Sequence, residues 1–178
     1  MSISEKEDFN QPIDAPEILN FADIARSYCR FLEYDRNMNA EEFLLMLQRM
    51  LLILYQDASK LPIVESDEEI IIENDWDSTT WEKVFSQTIE RLKDSRYYLH
   101  LFNPADEFDK DIIYGDLLDD ICDIYKDIKR AIVIFDSKTK GSMNNVVWQF
   151  YFDFKSHWGD HCINAIYATH YFLKKMAE

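Results

Sequence analysis

Glycine and proline are nearly missing from this chain, with three and four among 178 residues. That scarcity excludes the turn-rich architectures that need many backbone reversals. It also removes the phosphate-cradling and nucleophile-elbow motifs, because no Walker A loop, no GxGxxG and no GxSxG occurs. Cysteine is equally sparse. Cys29, Cys122 and Cys162 are odd in number and far apart, which fits neither a disulfide framework nor a CxxC metal site. They read as small buried hydrophobes. Basic residues are outnumbered, 19 Lys and Arg against 34 Asp and Glu, for a net charge of −15. Such a surface repels phosphate backbones and anionic lipid, so nucleic acid and membrane are poor partners. The nearest approach to a basic patch, Lys126, Lys129, Arg130, Lys138 and Lys140, reads as a complement to the negative end of one helix.

Long apolar runs are lacking too. Phe43 to Tyr55 is interrupted by Gln48 and Arg49 and falls short of the roughly 20 residues that a membrane span requires. The opening MSISEKEDFN has neither the basic region nor the apolar stretch of a secretory signal, so the expectation is a cytoplasmic protein. With 47% apolar residues, a chain of this length buries roughly 70% of its unfolded surface around one core.

What is present is apolar periodicity of three and four, which predicts an all-α single-domain bundle of about five long helices. Residues 1–14 are polar and acidic and are expected to be a disordered tail, with the bundle spanning 15–178. A first helix is predicted near Asp14 and Pro16, capped through Glu17, with Phe21, Ile24, Ala25, Tyr28, Phe31 and Leu32 inward. Asn39 and Glu42 cap a second, whose broad face of Phe43, Met46, Leu47, Met50, Leu51 and Leu54 suits a central helix. Thr79 with Glu82 starts a third, with Trp81, Phe85, Thr88, Leu92 and Leu99 inward, stopped by Asn103 and Pro104. The fourth is predicted from Asp111 to Phe135. Gly141 and Ser142 open the last, which is aromatic on every face from Asn145 to Lys174. VVWQFYFDF at 146–154 has strand-like content, but the pattern runs too long for a strand, and Gly159 marks a weak point in a helix.

Between the second and third helices lies a long connection with seven acids and no base. Glu65, Asp67, Glu68, Glu69 and Glu73, with Trp76 as an anchor, are the candidate partner-binding residues.

Two motifs are candidates for chemistry. In DLLDDICDIYKDIK, Asp116, Asp120, Asp123 and Asp127 follow at intervals of four, three and four and are predicted to share one helix face. The plain reading is a solvated acidic face eased by Lys126 and Arg130. In HWGDH, His157 and His161 lie four apart, with Asp160 and Asn164 nearby. Trp158 stands where a zinc protease of the HExxH type carries its glutamate, so that mechanism does not transfer. The plain reading here is two hydrogen-bonded core histidines. If the two helices pack together, Asp120, Asp123, His157 and His161 form a Zn, Mn or Fe site, with Asp116, Asp119, Asp127 and Asp160 as outer carboxylates.

These stretches, together with LYQDASKLP from Leu54 to Pro62, resemble a helical family of Bacteroides-type bacteria catalogued as domain of unknown function 5063. The resemblance covers nearly the whole chain. It implies a compact bacterial all-α domain and assigns no catalytic residue.

The leading functional expectation is a non-enzymatic acidic adaptor that receives a basic protein partner and needs no cofactor. The alternative is a metal-dependent, hydrolase-like bundle using a divalent transition metal. A third is an acidic mimic of nucleic acid that blocks a basic protein. Twenty-six aromatics leave room for a homodimer interface.

Overall fold

A computed structural model describes residues 15–34, 37–66, 78–102, 104–108, 110–137 and 143–178. The expected tail and most of the acidic connection, including Asp67, Glu68, Glu69, Glu73 and Trp76, lie outside them, as do Gly141 and Ser142. The chain is mainly helical and forms one domain. Helix α1 (Pro16–Glu33) and α2 (Ala40–Ala58) are followed by α3 (Ser78–Leu92), a two-stranded hairpin of β1 (Tyr97–Leu101) and β2 (Ile112–Asp116), and α4 (Leu117–Ser137). The chain then continues as α5 (Met143–Asp153), a π-helical turn (Phe154–Trp158) and α6 (Gly159–Met176). Among the described residues, no helix is long and apolar enough to cross a membrane.

Helix α6 packs on α2 and α4, and α1 packs on the same two helices. The shared core holds Ile18, Phe21 and Tyr28 of α1, Leu47 and Leu51 of α2, and Ile121 and Ile124 of α4, all fully buried. Phe21 meets Phe150 edge-on at 5.0 Å and stacks on Trp158 at 6.2 Å, joining α1 to both sides of the π turn. The three cysteines are buried and free, and burial pushes each thiol upward, so none is a ready thiolate.

The capping box predicted at α2 is present: Glu42 N–H donates to Asn39 Oδ1 at 2.9 Å and Asn39 N–H to Glu42 Oε2 at 3.0 Å. At α1 the helix begins on Pro16 after Ala15, which has no side-chain acceptor, and Asp14 lies outside the described residues. Helix α3 begins at Ser78, so Thr79 sits inside it rather than capping it. Its inward residues are Val84, Thr88, Arg91 and Leu92, while Phe85 is 38% exposed. Two helices expected to be enclosed are not. Leu45, Leu52 and Ile53 of α2, and Tyr167 and Tyr171 of α6, face outward.

The largest departure from expectation is the hairpin. Helix α3 was predicted to run to Asn103 and α4 to start at Asp111, whereas the chain leaves α3 after Leu92 through Lys93 at a φ of 50°. Lys93 N–H still bonds Ile89 O, the left-handed exit that usually employs glycine. Tyr97 to Leu101 then pair antiparallel with Ile112 to Asp116, Tyr98 opposite Gly115. That register explains one of the three glycines. A Cβ on Gly115 would stand 2.3 Å from the Tyr98 ring, so the bare backbone lets the ring lie across it and reach α4. Leu99 is accordingly an exposed strand residue instead of a core helix residue.

Candidate metal centre

Two elements build the site: the first half of α4, and the junction between the π turn and α6. On an α-helix, residues four apart are rotated about 40° past a full turn. A π turn bonds i to i+5 and winds more residues per turn, which cancels that drift. Phe154–Trp158 is such a turn, and Gly159 N–H reaches back to Phe154 O. It keeps Asp153, His157 and His161 on one side, with the two imidazole rings 4.9 Å apart at 76°. Gly159, expected to be a weak point, is the residue that permits the turn. A Cβ there would lie 2.2 Å from the Phe154 carbonyl oxygen.

Helix α4 sends three of the four aspartates toward these rings. His161 Nδ1 lies 2.8 Å from Asp120 Oδ1, and His157 Nδ1 lies 2.7 Å from Asp127 Oδ2. An ionised carboxylate only accepts hydrogen bonds, so both Nδ1 atoms donate. In each ring Nε2 then lies on the opposite edge. Asp123 occupies that side, with Oδ2 3.7 Å from His161 Nε2. One ligand atom each from Asp123, His157 and His161 falls within 4.8 Å of the others. Ligands bonded to zinc at 2.0–2.2 Å stand about 3.4 Å apart in a tetrahedron, a closer spacing than the outer limit of this trio. Lys126 holds Asp123 through Oδ1 at 3.0 Å, and it is the other oxygen, Oδ2, that faces His161.

The expected group of four is therefore divided. Asp120 stands behind His161 on the far ring nitrogen and is 4% exposed, with Tyr98 Oη donating to its other oxygen at 2.5 Å. Burial, then the Asp120 bond, push the Tyr98 phenol up, so it remains a donor. The His161 imidazole is also held up, first by its bond to Asp120 and against partial burial. Helical spacing hides Tyr98, because Tyr97–Leu101 is a strand within a segment of apolar residues that fits a helix. Alternating YYLHL, with Gly115 in the facing strand, was the available signal. Replacing Tyr98 with phenylalanine removes a donor from a buried carboxylate, and about 1–3 kcal/mol of unfolding free energy should be lost in urea titration. A change below 0.5 kcal/mol would mean that water replaces the phenol.

The outer carboxylates separate in the same way. Asp127 orients His157. Asp116 is off the helix face altogether: it ends β2, takes a two-pronged ion pair from Arg96 with contacts of 2.9 and 2.6 Å, and accepts from Leu118 N–H at 3.0 Å. Asp119 is exposed, its carboxyl pushed up by partial desolvation and then by Asp123. Asp160 is exposed and, with Asn164 and Tyr167 of α6, borders an open groove against His100 of the hairpin. The aspartate run is thus not a uniformly solvated face, since side-chain exposure falls to 21% at Asp123 and 17% at Asp127. Nor do the basic residues of α4 serve a helix end. Lys126 lies over Trp81 at 4.4 Å and Lys129 pairs with Glu33 at 2.6 Å, both in mid-helix, and Lys138 and Lys140 are outside the described residues. Of the candidate partner-binding residues only Glu65 is described, and it is exposed.

One carboxyl near the site was not singled out by sequence. Asp153, a turn before His157, accepts from Gln149 Nε2 at 2.5 Å, and burial raises its pKa to about 6, with Asp127 adding to the effect. The folded state then holds a proton between pH of about 4 and 6 that the unfolded chain releases, so stability falls as pH rises through that window. Asp153→Asn removes this dependence. Its stability relative to the parent should improve by on the order of 1 kcal/mol between pH 4 and 7, the value being discounted for solvent screening. Parallel pH profiles of the two proteins would exclude the effect.

No curated protein matches the sequence. In structure, the chain is similar to protein BF1032 from Bacteroides fragilis, at a TM-score of 0.77 and 26% identity over 90% of this chain and 94% of that one. The family model described as "Domain of unknown function (DUF5063)" matches residues 13–175, nearly all of the fold and both motifs of the site, and the chain belongs to that family.

Proposed function

We propose that this protein binds a divalent transition metal through Asp123, His157 and His161, in a half-exposed site suited to metal-assisted hydrolysis. The observation that carries this is the pairing of each histidine with its own carboxylate at Nδ1, at 2.8 and 2.7 Å, with His161 Nε2 turned to Asp123 at 3.7 Å and a ligand atom of His157 within 4.8 Å of both. Carboxylate–histidine pairs of this kind fix the tautomer and orientation that metal ligation needs and make the ring a better donor. Asp120 and Asp127 are positioning residues in this reading, and Asp120 is moved out of the ligand set. Two imidazoles and one carboxylate suit Zn, Mn or Fe and leave coordination positions for water. Asp123, His157 and His161 would hold the ion, and the chemistry it would supply there is activation of water for hydrolysis near neutral pH. The exposure of His157, at 49%, gives a substrate access from solvent.

Elemental analysis of untagged protein purified without chelators, followed by zinc titration against a competing chelator, tests the reading. One equivalent is expected, with affinity that rises with pH as the proton on His161 is displaced. His157→Ala and Asp123→Ala should each weaken binding at least a hundredfold. Zinc affinity that is the same in both variants as in the parent would end the proposal and leave the adaptor expectation as the better account.

A further inference from the structure

The hairpin is apolar on both of its faces. Alternation along β1 and β2 turns Tyr98 and Gly115 toward the bundle, where Tyr98 bonds Asp120 of α4 and its ring lies 6.3 Å from that of Tyr167 in α6. The opposite face carries Tyr97, Leu99 and Leu101, in register with Asp116, Tyr114 and Ile112. All five apolar residues of that face are exposed, from 41% at Leu101 to 81% at Tyr114. An antiparallel sheet with one face in water alternates apolar with polar residues. Here the one polar position, Asp116, is taken by Arg96, whose guanidinium also lies over the Tyr97 ring at 4.8 Å. The pattern is that of a strand pair covered on both sides.

Size and chemistry choose what covers the outer face. A buried aromatic side chain covers about 150–250 Å², so at these exposures the five residues leave about 500 Å² open. Phe102 and Phe108, in the connection between the strands and also well exposed, bring the hairpin to about 800 Å². One partner of a stable interface contributes about that area, 800 Å². Interfaces between identical chains are the more apolar class and are depleted of charge at their centre. A basic partner would find the only carboxylate of this face already paired with Arg96. The net charge of −15 opposes self-association, but at 0.15 M salt repulsion between exposed charges reaches only about 8 Å. At the hairpin itself the two ends differ. The base is balanced, Lys93 and Arg96 against Asp94 and Asp116, whereas the described part of the connection sets Asp106, Glu107 and Asp111 against Lys110 alone. Two acidic tips repel each other, and a tip laid over a balanced base does not.

We propose that the outer face of the hairpin is the contact between two copies of this chain, packed face to face about a two-fold axis that crosses the strands. Each acidic tip then lies over the other copy's base, and four strands form a small two-layered sheet with its layers about 10 Å apart. Leu99 and Tyr114, midway along their strands, stand nearest the axis. The contact uses none of Asp123, His157 and His161, so it stands independently of the metal reading.

Sedimentation equilibrium of the whole chain in the presence of EDTA reads the association. A reversible dimer that predominates at about 100 μM is expected, the weak end of the range for an interface of this size. Leu99→Lys and Tyr114→Lys should each raise the dissociation constant at least tenfold, whereas Leu52→Lys, at a leucine of α2 as exposed as Leu99, should leave it unchanged. Urea unfolding of the three variants at low concentration checks that each monomer is folded. A spin label on Glu107→Cys, the native cysteines being buried, reports the packing. Strands about 17 Å long in layers about 10 Å apart hold opposite tips more than about 20 Å from each other, and that separation is expected. A monomer at every concentration overturns the proposal and leaves the face to a partner of other chemistry. A dimer that survives both hairpin substitutions, or labels closer together than opposite tips allow, overturns it as well.

Discussion

Gly159→Ala is expected to destabilise the protein by about 2–3 kcal/mol and to weaken zinc at least tenfold, although alanine is the better helix former. In an ordinary helix interior the same substitution stabilises by about 1 kcal/mol, so the sign alone is diagnostic. Gly159 has the helical φ of −62°, and its requirement is therefore spatial and not one of backbone conformation. The added Cβ meets the Phe154 carbonyl oxygen at 2.2 Å, an atom that cannot swing aside as a side chain would. The chain relieves the contact only by giving up the i to i+5 bond. Overpacking of this kind costs typically 1–3 kcal/mol, to which the lost bond adds. Loss of the π turn rotates His157 relative to His161, which is why metal affinity should fall with stability. Guanidine unfolding and zinc competition on the same preparation check both parts. A more stable variant with unchanged zinc affinity would show that the π turn positions nothing.

The second large effect separates the two histidines. Both His157→Ala and His161→Ala should cost at least a hundredfold in zinc affinity, yet only His161→Ala should cost substantial stability, about 2–4 kcal/mol in the metal-free protein. His161 is 23% exposed and faces Asp120, which is 6% exposed at its side chain. Removing the ring strips one oxygen of a buried carboxylate of its donor and leaves the Tyr98 hydroxyl on the other, and stranded buried charges are costly. His157 is 49% exposed, and water replaces it beside Asp127. A loss below about 0.5 kcal/mol is expected there, as for other exposed pairs. Equal stability losses in the two variants would contradict the assignment of Asp120 as the buried, positioning member.

Much of the helical framework was legible because its signals are local. Leu117, Ile121, Ile124, Tyr125, Ile128, Ile132 and Phe135 repeat at helical spacing, and every one is buried in α4. Asn39 and Glu42 fix the start of α2 through atoms three residues apart. The hairpin was missed because its strands are only five residues each, and its stabilising contact, Tyr98 across Gly115 to Asp120, joins three segments. Nor does any local pattern announce the π turn. Glycine in a helix reads as a weakness until the carbonyl pressed against it is located in space.

The sequence by itself determined the helical class and the inward faces of α1, α2 and α4, and it offered an aspartate run and two histidines four residues apart whose meeting was conditional on packing. Those properties follow from periodicity and side-chain chemistry, which act over a few residues. Tertiary structure alone decided which aspartate does what: Asp116 leaves for Arg96, Asp120 and Asp127 grip the histidines from behind, and Asp123 faces them from the front. Four identical side chains at near-identical spacing carry no local distinction. Their roles come from how far each is buried and which partner the packing of α4 against the π turn and α6 brings within hydrogen-bond reach.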